Sequence, residues 1–182
     1  IASLDRMNIE NMEKQQTWQA MIIVMEAIIR FAHRYADLAR EKAETESNPE
    51  RKQELLTIAE TCDRVPGLPP RTFQECLQSL WFTFIGIQME AYERCFGCGR
   101  LDQYAYPYLE TGRITEKQAQ ELVDCLWMKF PETNYINTEY HSQIASGFPA
   151  QQQIMVGGQT PDGKDASNKL SYMCLQASIN TL

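Results

Sequence analysis

One segment of this sequence constrains the fold more than any other, because it predicts a helix that is too apolar for a protein surface. Residues 72–93 open with a capping box, in which the side chains of Thr72 and Glu75 each bind the other residue's backbone donor. Apolar side chains then recur on nearly every face of the helix: Phe73, Leu77, Leu80, Trp81, Phe82, Phe84, Ile85, Ile87 and Met89. Such a helix must be buried on most sides. The chain therefore needs other layers, some of which we expect outside this sequence.

The rest of the pattern predicts four more helices and one strand. The helices are expected at about 8–46, 49–63, 115–130 and 166–181, and the strand at about 153–157. The first helix has an apolar stripe of residues three and four apart that runs from Trp18 to Ala39. The last helical pattern is still running at Leu182, and the chain does not begin with Met. We therefore interpret residues 1–182 as a mainly α segment of a larger domain, truncated at both ends.

Local signals support the predicted helix starts. Asn48 can cap the second helix, and Pro49 suits the first helical position, where no backbone donor is needed. Residues 115–118 form a second capping box. Asp165 or Ser167 is expected to cap the last helix. These signals predict where the helices begin without any reference to the tertiary fold.

Charge and hydropathy exclude several classes of partner. The formal net charge is -7, which disfavours nucleic acid and anionic membranes because neither attracts an acidic surface. The longest apolar run, residues 80–87, is too short to span a bilayer. Residues 1–11 show no signal peptide. We expect a cytoplasmic protein without a nucleic-acid or membrane partner.

The cysteines predict reduced, structural thiols. Three of the six, Cys76, Cys125 and Cys174, lie inside apolar helical patterns, where cysteine behaves as a small hydrophobe. Cys95 and Cys98 have the spacing of a metal or redox pair, but the sequence has no second pair of this kind. The two histidines, at positions 33 and 141, are not at ligand spacing from it, and a zinc site needs four ligands. We therefore predict no metal site and no bound cofactor.

Several motifs, taken in order, resemble one known family. They are found at residues 34–39, 51–56, 70–82, 100–108, 156–159 and 165–172. Their sequences RYADLA, RKQELL, PRTFQECLQSLWF, RLDQYAYPY, VGGQ and DASNKLSY are similar to the pyruvate formate-lyase-like domain of the glycyl radical enzymes. The resemblance covers nearly the whole chain. It implies a ten-stranded α/β barrel in the full-length protein, to which this segment supplies mainly outer helices and an early strand.

The resemblance also implies a radical mechanism. An activating enzyme that uses S-adenosylmethionine and an iron–sulfur cluster installs the glycyl radical, which passes to a cysteine that abstracts hydrogen from a small substrate. A C–O, C–N, C–S or C–C bond of the substrate then breaks. Both the glycine and the cysteine are expected beyond Leu182, so this chain alone should contain no catalytic residue and be inactive. The full-length enzyme, a lyase, dehydratase or formate acetyltransferase-like protein, is expected to be homodimeric and to work anaerobically.

The substrate-pocket candidates are Tyr92, Arg94 and Cys95. They lie in a glycine-rich stretch, and glycine lets backbone approach a ligand closely. In related diol dehydratases, a His-Ser pair that holds substrate hydroxyls falls on Arg94 and Cys95, so this sequence departs from the diol pattern. An arginine suits a substrate carboxylate, whose two oxygens match its planar fork. Arg94 is equally suited to capping the carboxyl end of its helix, and the sequence leaves both roles open.

Two alternatives concern the motifs and the function. Residues 100–108 are interpreted as an architectural segment in which Asp102 binds nearby backbone, and residues 156–165 as a structural strand and turn, because a P-loop ending is absent. The rival function is a helical binding or scaffold module without catalysis. That hypothesis does not explain the over-apolar helix at 72–93.

Overall fold

The computed structural model describes residues 8–91, 95–132, 139–140, 143 and 151–181. The chain divides into two compact units, Ile1–Pro69 and Pro70–Leu182. The first contains α1 (Ile9–Thr45) and α2 (Pro49–Arg64). The second contains α3 (Phe73–Ala91), β1 (Cys95–Gly97), α4 (Leu101–Tyr104), α5 (Tyr106–Glu110), α6 (Glu116–Lys129), a 3-10 turn (Phe130–Glu132), β2 (Gln151–Gln153) and α7 (Lys169–Asn180). The described part is mainly helical, as the sequence predicts, and none of its helices has the length and hydropathy to cross a membrane.

The first unit is a pair of helices that meet along a stripe of small side chains. The Asn48 side chain accepts hydrogen bonds from the backbone N–H groups of Glu50 and Arg51, at 2.9 and 3.3 Å, and Pro49 occupies the first turn of α2, as predicted. The contact face of α1 is made of four buried alanines: Ala32, Ala36, Ala39 and Ala43. Small side chains let the α1 and α2 backbones approach each other closely.

In the amino-terminal half of α1, much of the predicted apolar stripe is exposed. Trp18, Met21 and Met25 are 41 %, 57 % and 62 % exposed. The reason is length: α1 has 37 residues and α2 has 16, so at about 1.5 Å per residue α2 covers less than half of α1. The helical periodicity is correct, but in the described structure the predicted stripe is covered only towards its carboxyl end.

The core of the second unit is built on α3. Phe73 and Phe84 are fully buried, in agreement with the prediction for this helix, while Met89 near its end is 62 % exposed. The Phe84 ring stacks on Trp81 at a centroid distance of 5.2 Å and lies 5.4 Å from the ring of Phe130, which follows α6. These rings join α3 to the end of α6. α7 completes the layer and buries Leu170, Cys174 and Ala177.

β1 and β2 form a short parallel pair, in which Cys95 aligns with Gln151 and Gly97 with Gln153. The sequence predicts a strand at about 153–157. The position of this prediction is wrong, because β2 ends at Gln153. The apolar residues after Gln153 resemble a strand in sequence. Their partner chain, however, turns away at Gly99, which has a φ of +63°, and starts α4.

Two further predictions about helix starts differ from the structure. The cap of α7 is neither Asp165 nor Ser167 but Asn168, which accepts from the N–H groups of Leu170 and Ser171. Asp165 instead accepts the N–H of Ser167 in a local turn. The helix therefore starts three residues later than predicted. The capping box at 115–118 is confirmed.

At the start of α3, one of the two hydrogen bonds of the predicted capping box is found. The Thr72 hydroxyl accepts the Glu75 N–H at 3.1 Å. The Glu75 carboxylate, which is buried, binds the N–H of Arg71 at 2.6 Å and the Arg71 guanidinium at 2.6 Å. The acidic side chain at the helix start thus binds the residue before Thr72, and it offsets the partial positive charge of the first turn.

Candidate functional site

The structure describes only one of the three predicted pocket residues. Tyr92 and Arg94 lie outside the described residues, so their roles stay predictions. Cys95 begins β1, where its backbone aligns with Gln151 of β2. The candidate stretch therefore leads directly into the parallel strand pair, and whatever holds that pair also positions Cys95.

A pair of side chains holds both backbone groups of one glycine just beyond the strands. The N–H of Gly157 donates to Oδ2 of Asp102 at 2.5 Å, and the Arg100 guanidinium donates to the Gly157 carbonyl. Asp102 is fully buried. Both hydrogen bonds are charge-assisted, which makes them stronger than neutral ones. We refer to Arg100, Asp102 and Gly157 as the glycine clamp.

The glycine clamp continues the pattern of the strand pair. The backbone N–H of Cys98 donates to the carbonyl of Gln153 at 3.0 Å, and the backbone N–H of Met155 donates to the carbonyl of Gly99 at 3.1 Å. Alternate residues of a strand direct their backbone groups to the same neighbour, so Gly157 is the next residue to require a partner. At that point the partner chain has turned into α4. The Asp102 carboxylate and the Arg100 guanidinium supply the acceptor and the donor that a further strand residue would supply.

Asp102 also binds the start of α7. The Ser171 hydroxyl donates to Oδ2 of Asp102 at 2.5 Å, and the Asn168 side-chain amide donates to the Asp102 backbone carbonyl at 2.7 Å. The other carboxylate oxygen, Oδ1, is buried and has no hydrogen-bond partner among the described residues. Sequence reasoning expected Asp102 to bind nearby backbone. Its partners instead lie 55 and 69 residues away, and no local signal in the sequence identifies them.

Because Gly158 lies against Arg100 of the clamp, a side chain at Gly158 should lower the free energy of unfolding. A Cβ there would lie 3.1 Å from the Arg100 guanidinium, and the residue has a φ of +91°, which costs an alanine about 1–2 kcal/mol. Gly163 has a φ of +80°, and a Cβ built there would have nothing within 4 Å. An alanine at Gly163 therefore loses free energy only through its backbone conformation. In urea unfolding, Gly158→Ala should lower the free energy of unfolding by about 1 kcal/mol more than Gly163→Ala. Equal losses would show that Arg100 moves aside without cost.

The described cysteines near the clamp are buried thiols. Burial raises the pKa of Cys76 to about 11 and that of Cys98 to about 12. Burial, followed by the nearby charge of Asp102, raises the pKa of Cys174 to about 12. The neutral thiol is a poor nucleophile and metal ligand. Among the described residues, no group of three or more His, Cys, Asp or Glu side chains is placed to hold a metal.

The strand geometry also bears on the Cys95 and Cys98 spacing. β1 is extended from Cys95 to Gly97, and a strand rises about 3.3 Å per residue, so the two Cα atoms are about 10 Å apart. A disulfide needs Cα atoms within about 7 Å of each other. In this conformation the pair cannot form a disulfide, which argues against a redox function.

These thiols give a residue-resolved prediction. With a maleimide reagent at pH 8, exposed Cys125 should be labelled, whereas Cys98 and Cys174 should stay unmodified. A thiol with a pKa of about 12 is ionised in only about one molecule in ten thousand at that pH. Mass spectrometry of the digested protein reads each site, and the urea-unfolded protein, in which every thiol should react, is the control. Rapid labelling of Cys98 in the folded protein would contradict its burial.

An open groove lies beside the clamp. It has a volume of about 330 Å³ and is lined mainly by apolar side chains of the α6 end, the segment after β2, and α7: Trp127, Phe130, Pro131, Ile154, Val156 and Leu175. The indole N–H of Trp127 is satisfied by the Ser178 hydroxyl at 3.0 Å. The groove offers packing surface rather than acid–base chemistry.

Comparison with known proteins decides the family. Residues 1–181 match the family described as pyruvate formate lyase-like. The chain belongs to the pyruvate formate lyase-like family. The resemblance to the glycyl radical enzymes is thereby confirmed over almost the full length.

Individual relatives are named for different reactions. The chain is 43 % identical to an isethionate sulfite-lyase of Desulfovibrio desulfuricans, over 97 % of this chain and 22 % of that protein. It is 37 % identical to a trans-4-hydroxy-L-proline dehydratase of Clostridioides difficile, over 96 % of this chain and 23 % of that protein. The chain thus spans between a fifth and a quarter of the length of these members of the pyruvate formate lyase-like family.

A solved structure confirms the fold. The enzyme of 1,2-propanediol dehydration in Roseburia inulinivorans superimposes with a TM-score of 0.91 at 38 % identity, covering 99 % of this chain and 23 % of that one. The mainly helical fold class and its place in the glycyl radical enzyme fold are therefore confirmed. The relatives include both sulfur-releasing and water-eliminating enzymes, so family membership alone leaves the substrate open.

Proposed function

We propose that the full-length protein is a glycyl radical lyase or dehydratase that cleaves a C–O, C–N, C–S or C–C bond of a small substrate. The observation that carries this proposal is the family match over residues 1–181, together with relatives that are sulfite-lyases and dehydratases. The glycyl radical, installed by an activating enzyme that uses S-adenosylmethionine and an iron–sulfur cluster, would supply hydrogen abstraction. This chain's part is to bind and orient the substrate. The family match favours this function over a scaffold module.

We further propose that the substrate is a small hydroxylated compound with a carboxylate or sulfonate group, with Arg94 as the contact of that group and Tyr92 and Cys95 as further pocket residues. Two of the relatives are named for isethionate, which carries a sulfonate, and for trans-4-hydroxy-L-proline, which carries a carboxylate. A guanidinium binds two oxygens of such a group at once. A neutral diol gives an arginine no charge to bind, and the departure from the diol pattern at Arg94 and Cys95 supports a substrate with an anionic group.

The deciding experiment uses the full-length protein, activated under strictly anaerobic conditions. Isethionate, trans-4-hydroxy-L-proline and 1,2-propanediol are offered separately, and sulfite, dehydrated product and aldehyde are measured. We expect turnover of a compound with a carboxylate or sulfonate group and little of the diol. Preferential turnover of the diol would contradict the substrate class. The absence of a glycyl radical signal in electron paramagnetic resonance, after activation by a cognate enzyme, would contradict the reaction class.

Arg94 has its own test. Arg94→Gln in the full-length enzyme should raise KM for the anionic substrate about ten- to a hundredfold while changing kcat much less, since a charged hydrogen bond to the ground state is lost. The matched control is Arg113→Gln, an exposed arginine in the turn before α6. If Arg94 only caps its helix, the variant will instead unfold at a lower urea concentration with KM unchanged.

We also propose that the full-length enzyme is a cytoplasmic homodimer that meets its activating enzyme in an anaerobic cell. The family match supports the anaerobic setting, because a protein radical requires an oxygen-free environment. Size-exclusion chromatography with light scattering tests the dimer. A monomeric mass for the active full-length protein would contradict it.

A further inference from the structure

The shortness of the strand pair raises the question of what fixes it. β1 and β2 have three residues each, and a parallel pair of that length is not stable by itself. Within the described residues, the pairing continues beyond the strands through the backbone N–H groups of Cys98 and Met155 and then through Gly157. The glycine clamp is therefore the closing element of this pairing.

Asp102 is the residue on which three segments of the chain converge. It follows β1 by way of Gly99, it binds Gly157 after β2, and it binds Ser171 and Asn168 at the start of α7. α7 is packed into the core of the second unit. Asp102 thus ties the strand pair to a helix that is packed into the core.

We propose that Asp102 is a positioning residue, which fixes β1 and with it the backbone of Cys95, the one described member of the proposed substrate pocket. The inference rests on the proposed function for its kinetic consequence, and on the strand geometry alone for its structural one. No contact between Asp102 and substrate is needed. The carboxylate acts through the Gly157 amide, which aligns β2, and β2 aligns β1 in the register that places Cys95 opposite Gln151.

The test compares two destabilising substitutions in the full-length protein. Asp102→Ala removes the clamp acceptor, and Val123→Ala removes methyl groups from a fully buried side chain on α6 that is not part of the clamp. Amide hydrogen exchange is measured at the backbone of residues 96–98, 155 and 157, with the amides of α6 as the reference. We expect Asp102→Ala to accelerate exchange at the strand pair at least about tenfold more than at α6. Val123→Ala should show no such local preference.

The kinetic arm uses isethionate and trans-4-hydroxy-L-proline as probes. With equal radical content in both variants, Asp102→Ala should raise KM about tenfold or more, and Val123→Ala should leave KM unchanged. Ser171→Ala, which removes one of the two donors to Oδ2, should have an intermediate effect.

The two proposals fail in distinguishable ways. If the wild-type enzyme forms its radical and turns over neither probe, the proposed substrate class fails, and exchange at residues 96–98 still decides whether Asp102 fixes β1. If exchange rises equally at α6 and at the strands, Asp102 only stabilises the fold, and the positioning role is overturned. A local rise in exchange with an unchanged KM would overturn it as well.

Discussion

Phe84→Ala should lower the free energy of unfolding of the second unit by about 3–5 kcal/mol. The side chain is fully buried between α3 and the end of α6, where it stacks on Trp81 and contacts Phe130. Its removal loses the transfer free energy of a phenyl ring, leaves a cavity and breaks two ring contacts. The surrounding rings come from different elements, so they cannot all move to fill the space.

Urea unfolding followed by far-ultraviolet circular dichroism measures this loss. Tyr172→Ala is the matched control, because it also truncates an aromatic side chain but at a position 66 % exposed on α7. We expect the control to change the free energy of unfolding by less than about 1 kcal/mol. Similar losses for both variants would mean that the aromatic cluster does not stabilise the second unit.

Ala36→Asp should destabilise the first unit by about 3–5 kcal/mol relative to Ala27→Asp. Ala36 is fully buried in the face of α1 that packs on α2, so an aspartate there is an uncompensated charge in an interface built for methyl groups. Ala27 lies on the same helix and is exposed. Both variants pay the same loss of helix propensity, which cancels in the comparison.

The difference in free energy of unfolding between Ala36→Asp and Ala27→Asp should depend on pH. Burial disfavours the charged form, so the folded-state pKa of the new carboxyl would be raised above its unfolded value. The folded state then binds more protons than the unfolded state between those two values, and the loss shrinks as pH falls through the folded-state pKa. Urea unfolding at pH 7 and pH 4.5 measures this change. A difference between the variants that is constant with pH would indicate steric crowding instead of charge burial.

Local signals in this sequence predict local structure well. Asn48 with Pro49, and Thr115 with Gln118, cap their helices as expected, because each cap binds within three residues of itself. The over-apolar pattern of α3 predicts its burial for the same reason, since the composition of one helix decides how many of its faces need cover. The order of the family motifs predicts the fold and the family.

Features that depend on distant partners could not be predicted. Asn168 caps α7 in competition with Asp165 and Ser167, and its side-chain amide also binds the Asp102 carbonyl, which no local pattern records. β2 ends early because β1 turns away at Gly99. The stripe of α1 is a correct helical pattern, but only the length of α2 determines how much of it is covered.

In the candidate site, too, side-chain chemistry could be predicted from the sequence, whereas distant partners could not. Arg94 was selected because its side chain suits an anion, an argument about chemistry that needs no tertiary structure, and it stays a prediction. Asp102 was recognised as part of an architectural motif, but its partners Gly157 and Ser171 were not. Sequence reasoning found the residue, and only the structure shows what it holds.

The pairing of β1 with β2 has a consequence for the order in which this chain folds. α1 and α2 are neighbours in sequence, so their contacts close a short loop and can form within the time of helix association. Arg100 and Asp102 must wait for Gly157, which is 55 or more residues further along the chain. Closing a loop of that length costs more entropy and slows the search. During synthesis the helical hairpin can be complete before Gly157 leaves the ribosome, and we expect the strand pair to be among the last native contacts of the chain to form.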